Sequence, residues 1–223
     1  MACSTREAVS DCFHWLELAS IHHADKLAVV DRACRLTPSL SAPLTRSPAH
    51  PRRLVPFPLP AGGINATLDY AQLHRESVAL AHWLHQQGIG RGDAVAVHCR
   101  NSAAVMRIHF AAAALHAVVV NLNINLATRE LKYILDDSRA KIAFVDQGAG
   151  ASLVEAAGDL PFVFIDVDGT STVSQSALDA GTRFDGLLSE TGPLPVADGA
   201  SMDDIFHLYY TSGTTGKPKP VRT

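Results

Sequence analysis

From Thr211 to Lys219 the chain reads TSGTTGKPK, which sets four hydroxyl side chains, two glycines and two lysines into nine consecutive positions. Gly213 and Gly216 carry no Cβ, so neighbouring backbone N–H groups can point into one concavity. Thr211, Ser212, Thr214 and Thr215 add hydroxyl donors, and Lys217 and Lys219 add positive charge. This inventory suits a polyphosphate, for which a charge-assisted hydrogen bond contributes about 1.5–3 kcal/mol. It is not the Walker pattern, which needs four residues between its glycines and Lys-Ser/Thr after the second. Here two residues separate the glycines, and Pro218 follows Lys217. Proline biases Lys217 toward extended backbone, so the phosphate is expected in a strand–loop–strand without a helix dipole. A Ser/Thr/Gly turn in a linker is the bland alternative. It accounts poorly for such a density of donors directly after the β-prone run IFHLYY.

The elements that must position this loop are legible upstream. Asp69 is a good N-cap with Gln72 three residues on; Leu73, Ser77, Leu80 and Leu84 follow at helical spacing, and Gly88 closes the helix. After a turn at Gly90 to Asp93, strands are expected at Ala94 to Cys99, Val118 to Leu122, Lys141 to Asp146 and Phe162 to Asp166. Helices alternate with them: one capped by Asn101 or Ser102 and running to about Leu115, one capped by Thr128 and carrying Leu131, Ile134 and Leu135, and one around Ser152 to Ala157. Short strands that are continuous apolar runs, alternating with helices, predict an α/β fold with a mostly parallel sheet flanked by helices on both faces. The stretch from Gly169 to Asp204, rich in Ser, Thr, Gly and Asp, reads as a long surface connection. Near the start, Ser4 with Glu7 suggests a capping box for a helix burying Val9, Cys12, Phe13 and Leu16, and LAVV (Leu27 to Val30) suggests a short buried strand. Between Thr37 and Pro60 lie seven of the twelve prolines. They exclude a helix or an interior strand, so residues 37–66 read as a disordered surface insertion, either a linker or a partner-docking segment.

Other candidate sites are weaker. His74, His82 and His85 share one helix but flank its apolar stripe, and no His-Glu-x-x-His spacing occurs among them, so they read as a solvated face and no metal site is assigned. GIGRG (Gly88 to Gly92) follows a helix and precedes a strand, the reverse of a dinucleotide fingerprint. The run NLNIN (Asn121 to Asn125) ends an apolar strand; its asparagines either turn the chain, the preferred reading, or contact a ligand. A net charge of −3 argues against a nucleic-acid partner, and no segment has the length and apolarity of a membrane span. The N-terminus lacks the pattern of a signal peptide. Cys3, Cys12, Cys34 and Cys99 form no Cys-x-x-Cys pair, which suits a reduced intracellular chain, cytoplasmic or organellar.

YYTSGTTGKPK (Tyr209 to Lys219) resembles the phosphate-binding signature of the adenylate-forming superfamily, which includes acyl-CoA synthetases, aryl-CoA ligases and luciferases. The block from Gly88 to Asp146 resembles the N-terminal subdomain of those enzymes in the order of its elements, and DYAQLHRESVALAHWLHQQG resembles the helix before it. The resemblance implies a partial adenylation domain over residues 1–223, with the phosphate-binding strand–loop at 205–220. It implies ATP, Mg²⁺ and coenzyme A, and a small carboxylic acid as substrate: the acid attacks the α-phosphate, and the resulting acyl-adenylate passes its acyl group to the CoA thiol. Carried over by position, Thr211, Ser212, Gly213, Thr214, Thr215 and Gly216 form the phosphate cradle, Lys219 is the recurrent lysine, and Lys217 stands at a variable position. Pro220 replaces the family's usual glycine, and the Pro-rich stretch interrupts a normally direct connection. The chain is thus expected to be an N-terminal part, incomplete at its C-terminus, with no catalytic residue of its own and not competent alone. A non-catalytic truncated homologue acting as a binding or regulatory module is the alternative expectation.

Overall fold

The computed structural model describes residues 16, 19–21, 24, 26–30, 67–189, 192, 201, 203–211 and 218–223. The expected N-terminal capping box and the Pro-rich insertion lie outside these residues, apart from Leu16, which is buried. The first strand, β1 (Leu27–Val30), pairs antiparallel with β2 (Thr67–Asp69) in a two-stranded sheet of its own.

Helix α1 (Tyr70–Gln86) starts where expected, because Asp69 Oδ1 accepts the Gln72 N–H at 2.6 Å. It stops at Gly88, whose φ of +77° only glycine adopts without strain. The central sheet then builds up as alternating units: β3 (Ala94–His98), α2 (Ala103–Ala114), β4 (Val118–Asn121), α3 (Thr128–Ser138), β5 (Ile142–Asp146), α4 (Ala151–Ala157) and β6 (Phe162–Ile165). Three short elements follow: α5 (Gln175–Ala180), β7 (Thr182–Arg183) and α6 (Phe184–Leu187). The chain then returns through β8 (His207–Thr211) and β9 (Lys219–Arg222). The seven strands lie in the order β7-β6-β5-β3-β4-β8-β9, all parallel except β9, which runs antiparallel to β8.

Two apolar layers sandwich the sheet, as strand alternation requires. Val95, Val97, Val119, Phe144 and Val163 face Leu80, Leu84, Ile108 and Ala111 from α1 and α2, and Phe184 and Leu187 from α6. Ala96, Val120, Ala143, Val145 and Phe164 face Leu131, Ile134, Leu153 and Leu178 from α3, α4 and α5.

Two expectations need correction. Thr128 does not cap α3: Ala127 holds the N-cap position, and the Glu130 carboxylate accepts the Ala127 N–H at 3.0 Å, so the first turn is satisfied from inside the helix. The Gly169 to Asp204 stretch is not merely a surface connection. Val173, Leu178, Phe184 and Leu187 are buried, and their wide spacing among Ser, Thr, Gly and Asp hides an apolar pattern that composition alone does not show.

Candidate functional site

β8 and β9 form a hairpin whose closing pair is Thr211 and Lys219. Directly opposed residues of antiparallel strands share a face, so the hydroxyl and the ammonium group leave the sheet on the same side, and both residues are exposed. The two strands are joined by the residues proposed from sequence to cradle phosphate. Of these, Ser212, Gly213, Thr214, Thr215 and Gly216 lie outside the described residues, so the structure places only Thr211 and Lys219. Pro220 sits opposite Tyr210 in β9. β9 is the outermost strand, where a proline costs no ladder hydrogen bond with a further neighbour.

The register continues across the sheet. Val97, Asn121, Tyr209 and Val221 form one cross-strand row, two residues below the Thr211–Lys219 pair. An open cleft of about 600 Å³ lies over the C-terminal ends of β3, β4 and β8, lined by Asn101, Val105, Asn121, Asn123, Tyr209 and Tyr210 among others. Ligand sites of open α/β sheets gather at these strand ends. Of the NLNIN run, Asn123 behaves as a turn residue, its Oδ1 accepting the Asn125 N–H at 2.9 Å, while Asn121 stays on β4 beside the cleft.

The order of the five strands β4-β3-β5-β6-β7 reverses direction between β3 and β5, which is the topological switch point. An ion-pair cluster fills it. Arg100, just after β3, donates from Nε to Asp146 Oδ2 at 2.5 Å and from Nη2 to Asp146 Oδ1 at 3.0 Å. Its Nη1 and Nη2 reach Asp168 at 2.8 and 3.1 Å. Asp146 is fully buried at the end of β5 and also accepts the Gly148 N–H at 2.9 Å. Hydrogen bonds from Arg100, and next from Thr170, hold the Asp168 carboxyl well below the usual carboxylate range. The open cleft adjoins this cluster: Arg100 lines it together with residues at the ends of β3, β4 and β8. Sequence reasoning missed this cluster. Its available signal was a pair of carboxylates, Asp146 and Asp168, just after two apolar strands.

Three histidines sit in or beside the same region. Burial pushes the His98 imidazole below its ordinary value, opposed by the nearby Asp146 charge and the Asn123 carbonyl; among the described residues neither His98 ring nitrogen reaches a partner in hydrogen-bonding geometry. His109 of α2 is lowered by burial too, and its Nδ1 lies 2.7 Å from the Val105 carbonyl. His207 is pushed to about 4 by burial and by His109, whose ring centroid is 5.2 Å away. His74, His82 and His85 are partly or fully exposed, as the solvated-face reading expects. Among the described residues no group of three His, Cys, Asp or Glu side chains is arranged to hold a metal ion.

The family described as AMP-binding enzyme matches residues 47–223 of this sequence. The chain belongs to the AMP-binding enzyme family. A 3-oxocholest-4-en-26-oate–CoA ligase of Rhodococcus rhodochrous is 30% identical over 174 residues, which cover 77% of this chain and 31% of that protein. The long-chain-fatty-acid–CoA ligase FadD13 of Mycobacterium tuberculosis is 31% identical over 156 residues, 69% of this chain and 29% of that protein. This AMP-binding chain thus spans about a third of the length of the curated relatives it matches. Among solved structures, the inhibitor-bound N-terminal domain of FACL13 from Mycobacterium tuberculosis superposes with a TM-score of 0.66 at 25% identity, covering 96% of this chain and 44% of that one. The α/β architecture expected from the alternating pattern is therefore that of the family. The matched span contains the hairpin, the cleft and the Arg100 cluster. No helix among the described residues is long and apolar enough to cross a membrane.

Proposed function

We propose that this chain is the phosphate-binding part of an ATP-dependent carboxylic acid–CoA ligase. In the overall reaction an acid carboxylate displaces pyrophosphate from the α-phosphate of ATP, and the acyl group then passes from AMP to the thiol of coenzyme A. The observation that carries the reading is the closing pair of the hairpin: Thr211 and Lys219 stand on one face, above the row that lines the cleft at the strand ends. The names of the relatives support the reaction class, since those proteins are CoA ligases.

In this reading Thr211, Ser212, Gly213, Thr214, Thr215 and Gly216 donate hydroxyl and amide hydrogens to the β- and γ-phosphates. Lys219 neutralises their charge. Among the described residues no ion pair involves Lys219, so its charge is available to a ligand. Most of what phosphate chemistry asks of a protein is such positioning and neutralisation. Mg²⁺ would accompany the triphosphate, held largely by phosphate oxygens and water, as the ion usually is in nucleotide sites. When bound, it supplies charge neutralisation.

The test is to incubate the intact protein with Mg-ATP, CoA and a panel of aliphatic, aromatic and sterol-derived acids, and to follow products by mass spectrometry. Acyl-CoA and AMP in equal amounts, with acid-dependent pyrophosphate exchange, are expected. ADP as the nucleotide product, or no acid-dependent exchange with any member of the panel, would sink the proposal.

A further inference from the structure

Among the described strands, the hairpin proposed to carry the phosphate loop joins the rest of the sheet through one strand pair, β4 with β8. Its register therefore decides where the loop stands. Strand alternation forbids a slip of one residue, which would exchange the faces of every side chain. It does not forbid a slip of two. His207, Tyr209 and Thr211 face one side and Leu208 and Tyr210 the other, so a two-residue shift returns each side chain to the same face. Such a slip would move the loop by about 7 Å along the strand. Among the described strands β9 pairs with β8 alone and moves with it.

Two polar contacts hold β8 against that slip. At its base, Asp204 is bound by Arg91 of the α1–β3 turn and lies 3.3 Å from His116 Nδ1 of the α2–β4 turn. It also accepts the Ser201 N–H at 2.9 Å. That backbone bond first, then Arg91 and His116, draw the Asp204 carboxyl below its ordinary value. At the upper end the Tyr210 hydroxyl, one residue before Thr211, donates to Asp137 Oδ2 of α3 at 2.7 Å. One contact lies three residues before the strand, on two turns, and the other near its upper end, on α3. A two-residue slip would break both.

We infer that Tyr210 and Asp204 are positioning residues of the phosphate loop, fixing the register of β8 and hence the place of Thr211 and Lys219. This rests on the CoA-ligase reading, in which ATP is bound by that loop. Tyr210 also borders the cleft, but its hydroxyl is engaged by Asp137; each residue is proposed to act through the strand.

The experiment compares Tyr210→Phe, Asp204→Asn and Asp204→Glu with the unaltered intact protein, measuring KM for ATP, KM for the acid, kcat and Tm. Ser174→Ala, which removes the side-chain cap of the remote helix α5, serves as a control for stability alone. Loss of one hydrogen bond sets the scale, so Tyr210→Phe and Asp204→Asn are expected to raise KM for ATP about threefold to tenfold with KM for the acid little changed. Asp204→Glu is expected to recover part of the loss, and Ser174→Ala to lower Tm without moving the ratio of the two KM values. An unchanged KM for ATP in both variants, or a parallel change in both KM values, would overturn the inference. Absence of acid-dependent CoA ligation in the unaltered protein would instead overturn the reading beneath it.

Discussion

Replacing Arg100 by methionine should be among the most damaging single changes to this fold. The substitution keeps much of the aliphatic length but removes every guanidinium contact to Asp146 and Asp168. Asp146 has no exposed surface, so its charge would be left with the backbone N–H groups of Gly148 at 2.9 Å and of residue 100 at 3.3 Å. Removing one partner of a buried pair costs about 3–5 kcal/mol. The Arg100 side chain is 32% exposed, and the two backbone donors remain, which brings the expected loss to about 2–3 kcal/mol. For a protein of this size that lowers Tm by about 5–10 °C. The pH dependence has a defined sign. Asp168 is held below the usual carboxylate range by Arg100, so its contribution is present above the unfolded value of about 3.9 and is lost as pH falls through the folded value. The gap between the two proteins, measured by urea midpoint, should therefore be full at pH 6 and narrow below pH 4. The double variant Arg100→Met with Asp146→Asn should recover part of the loss, because the uncompensated charge is gone. A Tm for Arg100→Met within 1 °C of the unaltered protein would refute the reasoning, on the scale of a ~0.3 kcal/mol effect.

Three further outcomes are expected. His98, His109 and His207 are all lowered by burial, so the unfolded chain binds their protons first and stability falls as pH drops below about 6.5; the urea midpoint should be lower at pH 5.5 than at pH 7.5, and equal midpoints would contradict the burial argument. Ser77 is fully buried in α1, and among the described residues its hydroxyl has no hydrogen-bond partner; Ser77→Ala should stabilise the protein by about 1 kcal/mol in thermal or urea unfolding, and a destabilised variant would mean that the hydroxyl has a partner. Lys219→Met should raise KM for ATP about tenfold, while Lys217→Met should change it much less; the reverse ranking would move the phosphate lysine to Lys217.

The sheet and its helices were legible because their signals are local and repeated. Ala94, Val95, Ala96 and Val97 form an apolar run that suits burial on both faces, and Asp69 and Gly88 bracket α1 with the chemistry that starts and stops a helix. The loop stands out in the sequence because its donors are consecutive, and of its proposed residues the structure places Thr211 and Lys219. What stayed hidden depends on residues far apart in sequence. Arg100, Asp146 and Asp168 meet only once the strands are ordered, and the carboxylates that close two apolar runs do not by themselves name the arginine that joins them. Tyr210 and Asp137 are likewise joined only by the β8–α3 packing. The buried residues of α5 and α6 were missed because each element is too short to show a period.

The strand order also bears on how the molecule is assembled in time. Ala94 pairs with Val118 inside one local unit, a separation of 24 residues, whereas Val119 must find His207, 88 residues away. Chain-closure entropy makes the second pairing costlier by about 1 kcal/mol, and the hairpin has no other strand on which to nucleate. The inner strands are therefore expected to condense first, with β8 and β9 docking onto a preformed edge. In pulse-labelled hydrogen exchange during refolding, amides of β3, β5 and β6 should gain protection before those of His207 to Thr211. The hairpin proposed to bind nucleotide would then be both the last to fold and the first to open, and ligand occupancy, on that proposal, would slow its unfolding selectively.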